Sequence, residues 1–287
     1  MSNPILKYKY YLSSILKLLL GIQEKYLVLR TFLFRPNQKI NHISKIHILK
    51  TYGLSFYIRG RMDIWSIKET FLDRFYELYG FKINDNWNIL DVGAGIGDYA
   101  IFAAYQHPDN IIYAYEPFPE SFKLLEDNLA LNEIANVHCF QQAISGQSGM
   151  MTLDLSGGEP LQIRSYGEFA KDSQTNPATP NPSKLQVSSL SLGDVFLQLN
   201  LSHCDLIKMD CEGAEYDMLF NTAPEILQRI GRIVMEYHDG VTIFAHNDLV
   251  EYLQNNQFRV ETFPNTVHAD LGYLRAVNMK VLHAIPG

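Results

Sequence analysis

Cysteine is scarce in this chain, with Cys139, Cys204 and Cys211 the only three in 287 residues. They form no C-x-x-C pair and no even-numbered set, which excludes a disulfide framework. A reducing compartment follows, and with it an expected cytoplasmic location. Long apolar runs are missing too. The longest near the start, residues 10–22, is interrupted by Lys17 and falls short of the ~20 residues that span a bilayer. It lacks a small-residue cleavage site, so neither a span nor export is implied. Internal repeats are absent. Net positive charge is missing from most of the chain: residues 1–50 carry +8, with nine Lys/Arg against Glu24 alone, and the remainder carries −15. Nucleic-acid affinity is mostly cationic, so an acidic main body argues against a nucleic-acid partner.

The apolar fraction of 47% is that of a globular protein, and the length allows one large domain plus an extension. The extension is expected over residues 1–60 and the main domain over 61–287. In the extension Ile5, Tyr8, Leu12, Ile15, Leu19, Ile22 and Tyr26 recur at spacings of three and four, with Lys7, Ser14, Lys17 and Lys25 between them. That pattern predicts an amphipathic helix. It either caps the main domain or forms a homodimer face, or it makes weak contact with an anionic membrane surface.

From about Trp87 the pattern becomes short apolar runs alternating with helical stretches. Residues 88–92, 111–115, 137–140, 206–209 and 233–236 read as strands; 99–105, 119–131, 214–220 and 247–255 read as helices. This alternation predicts an α/β fold, a parallel sheet with helices on both faces. Ligands of such sheets bind at the carboxyl ends of the strands. Residues 145–200 break the rhythm. Strand pieces at 150–155 and 185–190 flank a stretch, 156–183, rich in Gly, Pro, Asn, Ser and Thr, which reads as a mobile substrate lid or a surface insertion.

Asp91, Gly93, Gly95 and Gly97 form D-x-G-x-G-x-G directly after the first apolar strand. Glycines there let the backbone turn sharply and approach a ligand with no Cβ in the way, so a methionine-derived nucleoside cofactor can lie across the turn. The dinucleotide spacing G-x-G-x-x-G is absent, which leaves a nicotinamide oxidoreductase a distant alternative. Glu116 ends the next strand, where a carboxylate accepts hydrogen bonds from two ribose hydroxyls and repels a 2′-phosphate. Pro117 then fixes the backbone as it turns away. After the third strand, Gln142 is placed to address an adenine edge and Ala143 leaves room for the ring. Together these residues point to S-adenosylmethionine.

The segments LDVGAGIGDYAIFAA (90–104), AYEPFPESFKLLEDNLALN (114–132), AISGQSG (143–149), DLIKMDCEGAEYDML (205–219) and MEYH (235–238) resemble the FkbM family of methyltransferases in sequence and in order. The K-x-D-x-E-G-A-E block is the most specific of them. The resemblance implies a Rossmann-like class I methyltransferase fold and methylation of hydroxyl groups of sugars, glycans or secondary metabolites. Arg61 and Asp63 look like the family's Arg/Asp pair ahead of the first strand, which implies a substrate-binding role. Gly95 stands where the family often has Asn, and Gly193 where it usually has an acid.

A hydroxyl acceptor needs a general base, or a metal that acidifies it, whereas a nitrogen acceptor needs little beyond alignment. Lys208, Asp210, Glu212 and Glu215 surround the end of the fourth strand. Asp210 is expected to serve substrate or sulfonium electrostatics, or else to cap the following helix; Glu212 is a catalytic acid or a first-turn helix acid. Lys208 is expected to bind substrate. Glu236 and His238 close the fifth strand, and His238 is the expected base because histidine titrates near neutrality. A rim of Asp210, Glu212, Glu236 and Asp239 would suit Mg²⁺, though a metal-free site is favoured. Cys211 reads as packing. An N-methyltransferase, a Mg-assisted O-methyltransferase and a non-catalytic cofactor-binding subunit stay open as alternatives.

Overall fold

The computed structural model describes residues 4–34, 43–48, 52–155, 164–166, 184–265 and 267–282. The chain opens with α1 (Pro4–Gly21) and α2 (Lys25–Leu29), which continues into a π-helical turn, Arg30–Phe34. An antiparallel hairpin of β1 (Ser44–His47) and β2 (Ser55–Ile58) follows. The pattern reading of the extension placed one amphipathic helix there and did not foresee the hairpin. Its strands are only four residues long, too short for a period of two to stand out. α3 (Arg61–Ile67) then leads through the π-helical turns Lys68–Asp73 and Tyr76–Gly80 to the main sheet.

There β3 (Asn88–Val92), β4 (Ile111–Tyr115) and β5 (Val137–Phe140) alternate with α4 (Asp98–Tyr105) and α5 (Pro119–Leu131). A small second sheet interrupts, built from β6 (Ala143–Ser145), β7 (Gly149–Asp154), β8 (Arg164–Tyr166) and β9 (Lys184–Ser191). The chain returns by α6 (Leu192–Gln198) to β10 (Leu206–Met209), α7 (Ala214–Phe220), α8 (Pro224–Leu227) and β11 (Arg232–His238). It ends with α9 (His246–Asn255), β12 (Phe258–Pro264), β13 (Leu271–Asn278) and α10 (Met279–Leu282). Apart from β8, the stretch read as a lid lies outside the described residues.

The main sheet runs β5-β4-β3-β10-β11-β13-β12. β13 is antiparallel to both neighbours, and the pairs from β5 to β11 are parallel. The chain builds outward from β3 to β5, then crosses back and builds the other way from β10. Strand order therefore reverses between β3 and β10, which opens a crevice beyond their carboxyl ends. This is the doubly wound, Rossmann-like α/β sheet expected. The C-terminal strands β12 and β13 had no counterpart in the pattern reading.

Successive residues of β3 feed opposite layers, as the strand period of two requires. Ile89 packs with Ile96, Ile112 and Val234, whereas Leu90 and Val92 pack with Ile207, Met209 and Met235. The first layer also holds Leu18 and Ile22 of the N-terminal segment, both fully buried. Burying a side chain of that size stabilises by about 2 kcal/mol, which docks α1 on the body. The helix shows a second apolar stripe as well. Tyr8 and Leu12, part of the apolar pattern read for this helix, stay 70% and 57% exposed. No helix among the described residues is long and apolar enough to cross a membrane.

Candidate active site

The glycine turn after β3 is shaped by what it meets. Gly93 has φ +72°, and a Cβ built on it would lie 2.0 Å from the Asp210 carbonyl oxygen. The ends of β3 and β10 approach too closely for any side chain. Gly93→Ala is therefore expected to destabilise the fold by about 4 kcal/mol through strain and overpacking, read as a lower thermal midpoint. A midpoint unchanged from the parent protein would contradict this packing. Gly97 does a different job from the one expected: a Cβ there would meet Leu125 at 2.4 Å, so it lets α5 close on the start of α4. It does not line the cleft, whereas Gly93 and Gly95 do.

Glu116, at the end of β4, lines the same cleft and is buried. Its Oε2 accepts the Gly95 N–H at 2.8 Å and its Oε1 the Phe118 N–H at 2.8 Å. A carboxylate oxygen has two acceptor sites, so one on each oxygen is left for a ligand. Burial pushes the carboxyl up to about 7, against the pull of those two N–H groups. Pro117 and Ala143 line the cleft, with Phe118, Ile144, Met151 and Leu153 as an apolar wall. The small second sheet supplies Met151 and Leu153. This combination of an open glycine turn, a buried two-pronged acceptor and an apolar wall fits a nucleoside. Gln142 is half-buried and does not line the cleft, because the chain turns there from β5 into β6.

Asp91 is fully buried beneath the turn, not on its ligand face. Lys208 pairs with it across the β3–β10 register, Nζ to Oδ1 3.1 Å, and donates to the Gly93 carbonyl at 3.0 Å. Burial raises the Asp91 pKa and Lys208 lowers it, with a net rise. Burial opposes the charge of Lys208, but Asp91, Asp210 and Asp98 hold its proton and the net shift is upward. The lysine touches the cleft, yet its ammonium is spent on holding the turn. Arg61 and Asp63 also separate. Asp63 is buried and takes the Arg59 backbone N–H and guanidinium at 2.6 and 2.9 Å, which ties β2 to α3. Arg61 lines a second, larger cavity.

That cavity, of about 920 Å³, lies between the N-terminal segment and the carboxyl ends of the sheet. Tyr10, Tyr11, Phe32 and Trp65 form an aromatic wall. Glu69, Glu212, Glu236 and Trp65 border both the cavity and the cleft, so the two spaces share a wall. Asp210 stands on the cleft side and accepts the Tyr76 hydroxyl at 2.9 Å. On the cavity side His238 is buried, and its Nδ1 lies 2.7 Å from Glu215 Oε1. Glu215 is fully buried, and its other oxygen accepts the Gly213 N–H at 2.7 Å. His238 Nε2 is left facing Glu212 Oε2 at 3.6 Å.

Burial alone would lower the His238 pKa, but Glu215, Glu212 and Glu236 outweigh it and raise it well above the usual 6.5. Burial pushes Glu236 well up, with Asp210 adding to it and His238 opposing; burial pushes Glu69 to about 8, against Lys68. Asp210, Glu236 and His238 each bring a ligand atom within 4.8 Å of the others. Asp239 is not part of this group, since it accepts the Tyr216 hydroxyl and holds His246. Cys211 packs beside Glu215, with burial raising its thiol well above the usual range.

Pattern reading missed Glu215 as the partner of His238, although it closes the most specific of the quoted motifs. Glu69, Tyr76 and Trp65 were missed outright. They lie upstream of the glycine turn, where no motif drew attention and only folding brings them to the rim.

The methyltransferase FkbM domain matches residues 91–260. "Methyltransferase 1" of Beauveria bassiana (strain ARSEF 2860) is 25% identical over 213 residues, 71% of this chain and 85% of that protein. The "31-O-demethyl-FK506 methyltransferase FkbM" of Streptomyces tacrolimicus is 26% identical over 219 residues, 67% of this chain and 80% of that protein. Among solved structures, the methyltransferase FkbM from Methylobacillus flagellatus KT aligns with a TM-score of 0.46 at 12% identity, over 74% of this chain and 53% of that one. With the domain match spanning more than half of the sequence, including the glycine turn, Glu116, Glu215 and His238, the chain belongs to the FkbM family of S-adenosylmethionine-dependent methyltransferases.

Proposed function

We propose that this methyltransferase methylates a hydroxyl group of a sugar, glycan or secondary metabolite, with His238 as general base. The observation that carries this reading is the His238–Glu215 pair. A ring fixed at Nδ1 by a buried carboxylate offers Nε2 toward the cavity, the arrangement that lets histidine take a hydroxyl proton. A nitrogen acceptor would need no such base. The name of the Streptomyces tacrolimicus relative, which acts on an O-demethyl compound, supports an oxygen acceptor here.

Gly93, Gly95, Glu116, Pro117, Ala143 and Asp210 are the residues that would hold S-adenosylmethionine. When bound, it supplies an electrophilic methyl group on a sulfonium. Asp210, steadied by Tyr76, favours that positive charge on the cleft side. Glu212 and Glu236 accept hydrogen bonds from the acceptor's hydroxyls across the shared wall, and the aromatic wall excludes water. His238 would take the hydroxyl proton at Nε2, leaving the oxygen as the nucleophile for the methyl group that the cofactor would supply, with S-adenosylhomocysteine as the leaving group. Glu215, bonded to Nδ1, stabilises the imidazolium that forms.

The pH dependence follows from the charges around the ring. Glu215, Glu212 and Glu236 make His238 keep its proton above the usual imidazole range, and a base works only once that proton is gone. Activity therefore climbs with pH through neutrality and beyond. Glu215→Gln removes the largest upward influence, so the acid limb of kcat/KM moves to lower pH while the plateau falls roughly tenfold. A limb that stays in place in this variant argues against His238 as the base.

The cluster of Asp210, Glu236 and His238 favours a second reading, in which a divalent metal held there acidifies the hydroxyl. Activity lost on chelation and restored by Mg²⁺ or Mn²⁺ selects that route; activity indifferent to chelator selects the free base.

A further inference from the structure

We propose that α1 lies on an anionic membrane surface, with Tyr8, Leu12, Leu16 and Leu20 against the acyl boundary. The helix has two apolar faces. One is closed: Leu18 and Ile22 are fully buried in the core, and Lys17 is paired with Asp73 at 2.6 Å. The other carries Tyr8, Leu12, Leu16 and Leu20, each 57 to 70% exposed, and Tyr26 of α2 is exposed as well, at 79%. A spacing of four keeps these side chains in one row along the helix. No described residue buries them, and a contiguous apolar patch of this kind marks an interaction surface.

The charge of the segment that carries the row selects the partner. Lys7, Lys9, Lys25 and Arg30 are exposed, and no ion pair to them occurs among the described residues. Glu24, the lone acid in residues 1–50, is taken up by the backbone and ring of His47. The segment that carries the row thus presents exposed charge of one sign. A second copy packed row against row about a twofold axis would set these cations against their own kind. An anionic bilayer accepts both features, with headgroups opposite the basic side chains and the acyl boundary beneath the apolar ones. The helix is oriented to lie flat, since its other face is docked on the protein. That inner side also supplies Tyr10, Tyr11 and Ile15 to the large cavity, which places the cavity directly behind the membrane-facing helix.

Co-sedimentation of the full chain with phosphatidylcholine vesicles, with and without phosphatidylglycerol, tests this. Partitioning is expected to be at least about tenfold stronger with the anionic lipid and to weaken with salt. The double variant Leu12→Gln, Leu16→Gln is expected to lose at least about tenfold of it, with the thermal midpoint unchanged because both side chains are exposed. Equal partitioning on the two vesicles, or an undiminished affinity in the double variant, overturns the proposal. So does a lipid-independent dimer that the same variant converts to monomer without vesicle binding in the parent, which would assign the row to a second copy of the chain.

Discussion

His238→Ala lowers kcat by about 10²- to 10³-fold and leaves the affinity for S-adenosylmethionine within about twofold of the parent protein. The range is that of a positioned general base removed from a hydroxyl transfer. Cofactor affinity is spared because His238 lines the cavity and not the nucleoside cleft. The variant also releases Glu215, which is fully buried and loses its imidazole partner. Glu215→Gln, which keeps the shape, separates the two effects: its activity loss is smaller and pH-dependent, whereas that of the alanine variant persists at every pH. Scintillation counting of labelled methyl transferred to a hydroxylated acceptor, beside calorimetric titration of the cofactor, gives both numbers. Near-parental turnover in His238→Ala would remove the general base from the mechanism.

Glu116→Ala weakens S-adenosylmethionine binding by about 10²-fold. Two hydrogen bonds from ribose hydroxyls to an ionised acceptor contribute about 1.5–3 kcal/mol each; their loss, offset in part by water entering the cleft, gives that factor. The carboxylate also holds the Gly95 and Phe118 N–H groups, so its removal loosens the turn that the nucleoside lies on. A pH effect accompanies it in the parent protein. Burial sets the Glu116 pKa at about 7, and the neutral acid is the poorer acceptor. Affinity therefore declines as pH falls through about 7, and that decline is absent from the variant. Calorimetric titration on either side of neutrality checks both. An affinity in Glu116→Ala equal to that of the parent would place the ribose elsewhere.

The sheet was legible because its central strands, buried on both faces, are predominantly apolar. Residues 88–92, 111–115, 137–140 and 206–209 were each recognisable as strands and are so placed. The glycine turn and Glu116 were legible because a local reason fixes each of them. Roles that depend on which way a side chain turns were not. Asp91 and Lys208 sit in motifs that pattern reading assigned to ligands, but register places them opposite each other and they form an ion pair. Asp63 is likewise diverted to Arg59. The hairpin of β1 and β2 was invisible for lack of length, and the cavity wall of Tyr10, Tyr11 and Trp65 for lack of any local signature, since residues far apart in sequence build it. The N-terminal helix was foreseen with one apolar face; its two faces emerge only once the body covers the first.

A crystal structure with S-adenosylhomocysteine tests the arrangement most directly, because it needs no knowledge of the acceptor. The ribose hydroxyls are expected on the Glu116 carboxylate, with the sulfur turned past Asp210 toward the wall shared with the large cavity and His238 Nε2 open on its far side. A ribose bound away from Glu116, or a sulfur directed away from that cavity, would contradict it.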